Sequence, residues 1–125
     1  MENDKILASV FAAFKANAEL MTLLPDGASS LYHGWSPDAG TYPVIVYGIT
    51  SDVPDLSADD VEISHFVTVR VSLMTEDGAW GKIYRQVQKT MRLLGFRRKM
   101  SNEVNDEEYR TLVVDYVKTF ESEVN

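Results

Sequence analysis

From Ile63 to Leu73 the chain alternates with a period of two. Ile63, His65, Val67, Val69, Val71 and Leu73 fall on one face, and Ser64, Phe66, Thr68, Arg70 and Ser72 on the other. Only an extended strand places residues two apart on the same side. A strand this apolar on one face has to pair with neighbours and be covered from above. The chain is therefore organised around a sheet.

The remaining periodicities supply its partners. Ile6, Leu7, Val10, Phe11, Phe14, Leu20 and Met21 recur mostly at steps of three and four, which predicts one amphipathic helix over 4–24, capped by Asn3 or Asp4. Pro25-Asp-Gly27 ends it, because proline cannot continue the ladder and Asp-Gly favours a turn. A short strand is expected over Leu31–Trp35, then a loop over Ser36–Gly40. A strand over Tyr42–Thr50 has apolar residues on both faces (Ile45, Tyr47 and Ile49 against Val44 and Val46), as central strands do. Residues 51–61, rich in Asp, Ser and Pro, read as a long acidic loop. A second helix is predicted from Asp77 to Leu94, with Ile83, Tyr84, Val87, Met91 and Leu94 as its buried stripe and Gly95 as its stop. Phe96–Val104 reads as an edge strand guarded by Arg97, Arg98 and Lys99. Tyr109–Phe120 is the last strand.

The expected fold class is α+β: an antiparallel sheet of four to five strands with two helices on one face, in the order α-β-β-β-α-(β)-β. The chain has 125 residues and no internal repeat or linker, which fits one domain over 1–125.

Charge is divided along the chain. The formal net charge is -7, but residues 1–66 carry -8, residues 67–101 carry +6 and residues 102–125 carry -5. An acidic chain is a poor general binder of nucleic acid. Opposed charged regions instead suit head-to-tail packing of copies. Lys82, Arg85, Lys89 and Arg92, at steps of three, four and three, share one face of the second predicted helix, and Arg97, Arg98 and Lys99 follow directly. Their natural partners are acidic: Asp52, Asp55, Asp59, Asp60 and Glu62 of a neighbouring copy, with DNA backbone as the other option. The plainer reading of the basic residues is a solvated helix face.

Catalytic chemistry finds little footing. The chain contains no cysteine, which removes thiolate nucleophiles, thiolate metal sites and disulfides. Its two histidines, His33 and His65, have no metal-ligand spacing, and His65 reads best as a core or interface histidine with a hydrogen-bond partner. The 51–62 carboxylates lack the spacing and the central glycine of a calcium loop. Gly78-Ala-Trp-Gly81 lacks the Lys-Ser/Thr of a phosphate loop. The expectation is no enzyme, no metal and no cofactor. The acidic start at Met1–Lys5 does not read as a signal peptide, and no apolar run approaches the roughly 18 residues of a membrane span.

Five segments in order carry a resemblance. They are Leu23-Leu-Pro-Asp-Gly27, Leu31-Tyr-His-Gly-Trp35, Tyr42-Pro-Val-Ile-Val-Tyr47, Phe66-Val-Thr-Val-Arg-Val-Ser-Leu73 and the helix from Trp80 to Leu94. Together they resemble the small tail-completion, or tail-terminator, proteins of long-tailed phages and prophages, from about Lys5 to Glu121. The resemblance implies a small α+β subunit that forms a ring, often hexameric, on the head-proximal end of a finished tail tube. Such a ring stops tube growth and presents a surface to the head connector. The implied partners are further copies of the chain, the tail-tube protein and head connector proteins, with DNA only in transit and no membrane. The implied location is the virion, assembled in the bacterial host cytoplasm. The competing readings are another virion subunit, such as a head–tail joining or tail-tube protein, a soluble binding module on the same fold, and a small enzyme using His33 or His65 with a nearby carboxylate.

Overall fold

The computed structural model describes residues 2–34 and 41–122. The elements are α1 (Asn3–Ala16), α2 (Ala18–Leu23), a 3-10 turn (Gly27–Ser30), β1 (Leu31–His33), β2 (Val44–Ala58), β3 (Val61–Thr75), α3 (Gly81–Leu93), β4 (Arg97–Asn105) and β5 (Arg110–Glu121). They form a five-stranded sheet in the order β1-β2-β3-β5-β4. The strictly alternating segment lies inside β3, the central strand, and the strand expected to be central from its two apolar faces, Tyr42–Thr50, lies beside it at the start of β2. The predicted loop at Ser36–Gly40 and residue Trp35 lie outside the described residues.

The helices cover one face of this sheet. Val67, Val69, Val71 and Leu73 of β3, Ile45 and Tyr47 of β2, and Leu112, Val114 and Tyr116 of β5 meet Ile6, Val10 and Phe14 of α1, Leu20 of α2, and Ile83, Val87 and Met91 of α3. All are buried, and most are fully excluded from solvent. Phe14 meets the edge of Tyr47 with ring centroids 6.3 Å apart. Burial of these side chains at about 1.5–3 kcal/mol each is the main force holding helices to sheet.

Three local expectations are corrected. The first helix does not run unbroken over 4–24: it stops at Ala16 and restarts at Ala18. Asn17 leaves helical geometry (φ −83°, ψ 98°) and its Oδ1 accepts from the Leu20 backbone N–H at 3.0 Å, capping α2. Its amide also donates to Gln86 Oε1 at 3.2 Å and Thr90 Oγ1 at 3.0 Å, fixing the break to α3. The cap of α1 is Glu2, which makes no side-chain cap bond, and not Asn3 or Asp4.

The sheet is mixed, not wholly antiparallel. β1 runs parallel to β2, with Leu31 opposite Ile45 and His33 opposite Tyr47. A two-residue hairpin turn would have forced antiparallel pairing, and the segment between β1 and β2 is longer than that. The other pairs, β2–β3, β3–β5 and β4–β5, are antiparallel. β4 occupies the edge, where the run of basic residues predicts it.

The third correction is the largest. Residues 51–58 are not a loop; they continue β2, and β3 begins at Val61. Two strands of 15 residues each form a hairpin closed only by Asp59 and Asp60, both at positive φ (51° and 63°), between the paired residues Ala58 and Val61. Two successive left-handed residues define the hairpin turn whose twist matches its strands, and aspartate is among the few side chains that tolerate it. Pro54 has no N–H to donate. It is accommodated because β1 reaches only as far as Tyr47, leaving one side of this part of β2 unpaired.

Candidate functional site: a hairpin arm and a basic helix face

The arm is the distal part of the β2–β3 hairpin. Among the described residues the ladder of β5 along β3 ends at Ser64, opposite Glu121, with one further bond from the Ser122 N–H to the Ile63 carbonyl at 2.8 Å, and the hairpin beyond has two strands. Every residue from Asp52 to Val61 is exposed. An isolated two-stranded ribbon is marginally stable in water, and this one is irregular, with register shifts between Ile49 and Ser51, Pro54 and Leu56, and Leu56 and Ser57.

The predicted acidic residues all lie here, but they do not act alike. Asp59 and Asp60 form the tip, and Asp55 sits at an irregularity of β2. Asp52 is engaged at the base, its Oδ1 2.6 Å from Nδ1 of buried His65, whose ring lies 5.7 Å from Phe120. Glu62 accepts a hydrogen bond from the Ser122 hydroxyl. So Asp52 and Glu62 brace the arm, and the acidic charge at its end belongs to Asp55, Asp59 and Asp60. Among the described residues no three histidine, aspartate or glutamate side chains converge as metal ligands.

Sequence reasoning missed the arm's apolar content. Among the described residues, the exposed large hydrophobic side chains are Val53, Leu56, Val61, Ile63, Leu93, Met100 and Val104. Three of these seven, Leu56, Val61 and Ile63, sit on the arm, and Val53 sits at its base. They lie on one projection beside the carboxylates of Asp55, Asp59 and Asp60.

The basic face forms on α3, where Lys82, Arg85, Lys89 and Arg92 are exposed, opposite buried Ile83, Val87 and Met91. Arg98 extends this side of the sheet, its guanidinium donating to Tyr84 Oη at 2.9 Å, a bond that raises its proton affinity further. Arg97 does not: neighbouring strand residues alternate faces, and Arg97 lies over Phe66, 5.8 Å from the ring centroid, on the side opposite the helices. Lys99 falls at the irregularity between Arg98 and Met100. The three basic residues of β4 are therefore not one continuation of the α3 face.

Leu93 is set among those cations and is 81% exposed. It follows Lys89 by four positions, so the stripe 82-85/86-89-93 held the signal. Leu93 divides two depressions. One, about 490 Å³, is lined by Ala13, Ala16, Asn17, Gln86, Lys89 and Leu93 among others; the second, about 440 Å³, is lined by Arg85, Gln88, Lys89, Arg92 and Leu93. The first is mostly apolar, the second cationic at its rim.

On the sheet face away from the helices Thr68, Asp115 and Val117 are nevertheless buried, and Arg70 is exposed. There Arg70 holds Asp115 with two parallel bonds, Nε to Oδ1 at 2.9 Å and Nη2 to Oδ2 at 3.1 Å. His33 stands exposed on β1, its ring stacked on Tyr47 at 5.7 Å. His65 and Asp52 line a cleft of about 500 Å³ together with Glu62 and Ser122, and no helix among the described residues is long and apolar enough to cross a membrane.

The described chain thus presents an acidic, partly apolar hairpin and a basic helix face on different elements. Residues 8–115 match the family described as Tail completion protein gp17. The chain belongs to that family, which makes it a structural component of a phage tail and so of a virion. Its fold is similar to that of a chain from the virion of a native gene transfer agent particle, with a TM-score of 0.66, 13% identity, and 92% of this chain and 93% of that chain covered. No curated protein matches the chain.

Proposed function

We propose that this chain closes the head-proximal end of a phage or prophage tail tube as an oligomeric ring, hexameric on the tail, and that it acts by assembly without catalysis. The observation that carries the reading is the family match over residues 8–115. Two features of the chain support the ring. An acidic, partly apolar arm and a basic helix face lie on different elements, and ring closure needs one patch to meet a different patch on the next copy. Its partners are then its own neighbours, the tail-tube protein on one side and head connector proteins on the other. DNA crosses the ring only in transit, and assembly takes place in the host cytoplasm. A second reading, another subunit of the virion, draws support from the fold shared with a gene transfer agent virion chain.

Gold-labelled antibody against the chain, applied to particles from the strain that carries the gene, separates the two. Label confined to the head–tail junction supports tail completion. Label along the tube, or on the head alone, replaces it with the second reading.

A further inference from the structure

We infer that the tip of the β2–β3 arm of one copy seats on the α3 face of the next, with Leu56 and Val61 packed against Leu93 and the tip carboxylates paired with Lys89 and Arg92. The inference rests on the ring reading and names the contact that would close the ring.

Each half of this contact is incomplete alone, and the two deficits match. Leu56 is 57% and Val61 54% exposed on a ribbon too thin to bury them itself. Leu93 is 81% exposed on a helix whose other apolar residues face inward. Beside it, one groove is lined by Ala13, Ala16, Ala18 and Leu94, with the Glu19 carboxylate held by the Gln86 amide at 2.7 Å. The other, which Glu19 does not line, is lined by Arg85, Lys89 and Arg92, so apolar surface and cations adjoin Leu93. The arm offers the complementary set, apolar Leu56 and Val61 beside Asp55, Asp59 and Asp60. Burying the leucines supplies the attraction, and the charges fix orientation and exclude like-to-like pairing of two arms or two helix faces. A second copy is the occupant the charge pattern selects, because both members of the pair are present in every chain. The contact is heterologous, so it propagates from copy to copy until the ring closes.

The absence of any native cysteine makes a clean test possible. Leu56→Cys and Leu93→Cys are introduced together and singly into the full chain in the particle-forming strain, and isolated particles are mildly oxidised and run on a denaturing gel. The double variant should give a ladder of covalent multimers, and both single variants should remain monomeric. Dimers from Leu56→Cys alone would mean arm-to-arm contact, and no ladder from the double variant would place the arm elsewhere; either result overturns the inference.

Should the cysteine pair fail to enter particles, charge exchange decides with purified chain. Asp59→Lys with Asp60→Lys, and separately Lys89→Glu with Arg92→Glu, should each weaken self-association about tenfold or more in sedimentation, and the four changes together should restore it. A quadruple variant no better than either pair overturns the contact. Label at the head–tail junction without the ladder would refute this contact and leave tail completion standing, whereas a ladder from label-positive tubes would do the reverse.

Discussion

Asp115 lies on the sheet face that no helix covers, yet it is only 6% exposed. Its carboxylate is held by Arg70, whose own proton affinity is raised chiefly by that hydrogen bond. Deleting one partner leaves a largely buried charge without its bidentate donor. Arg70→Ala should cost about 1–3 kcal/mol, at the lower end because the Arg70 side chain is half exposed, measured by urea denaturation. Arg70 was legible as polar-face residue of a strand. Its partner was not, because Asp115 is 45 residues away and only strand register brings them opposite.

Tyr116 titrates the core. It is fully buried, and its hydroxyl donates to Gln88 Oε1 at 2.6 Å. Burial pushes its phenol well above the ordinary 10.0, so the fold favours the neutral form. That contribution is complete below pH about 10 and is lost as the pH climbs toward the raised value. Tyr116→Phe should therefore lose less stability than the parent between pH 9 and about 11.5, in paired urea titrations. Some loss should remain, since Tyr47, through burial, and Tyr109, chiefly through its hydrogen bond with Tyr42, are raised as well.

Among elements, the helix break and the arm show where pattern reading fails. The apolar stripe of 4–24 is interrupted between Phe14 and Leu20, where Asn17 stands three after Phe14, but a gap of that kind does not by itself separate a polar residue inside a helix from a break. The break becomes worthwhile only when Asn17 can cap α2 and reach Gln86 and Thr90 of α3 at once. Asn17→Ala removes all three bonds and should destabilise the protein by about 1–2 kcal/mol. A stability change within experimental error would contradict that role.

The arm was hidden by its composition. Asp, Ser and Pro are turn residues by local preference, and with one strand edge unpaired and both faces wet, the usual alternation has no core to record. What remained readable was the run's charge and the Asp59-Asp60 pair. That turn is not the best for its geometry. Asp59→Asn with Asp60→Gly should stabilise the hairpin by up to about 1 kcal/mol, seen as slower amide exchange of residues flanking the tip. Unchanged or faster exchange would mean the tip is not the rigid two-residue turn described.

At the scale of the whole molecule, the fold class and the helix-covered face follow from periodicity, because both are imposed by burial in one core. The β4 edge was legible from its run of basic residues, and the strand expected to be central, Tyr42–Thr50, lies one place from the centre. The placement of the twelve charged residues was less complete. The α3 face formed as its spacing requires, but strand alternation separates Arg97 from Arg98, and local pairing occupies Asp52 and Glu62. Exposed Leu56, Val61 and Leu93 were overlooked because single surface leucines are common; their meaning comes only from sitting beside opposite charges on opposite elements.

Self-association through such surfaces has an electrostatic share that salt screens. Raising ionic strength from about 0.05 M to 0.5 M should weaken assembly of the purified chain, as the Debye length falls below the spacing of exposed charges. Assembly that strengthens steadily with salt would mean that apolar contact alone drives it.

The central claim is that this subunit ends tail growth and joins the tail to the head. Its gene should be deleted from the phage or prophage and the resulting particles examined by electron microscopy, with complementation as control. The account predicts tubes of unregulated length that carry no heads, restored to uniform joined tails by the complementing gene. Tails of normal length attached to heads in the deletion strain would contradict it.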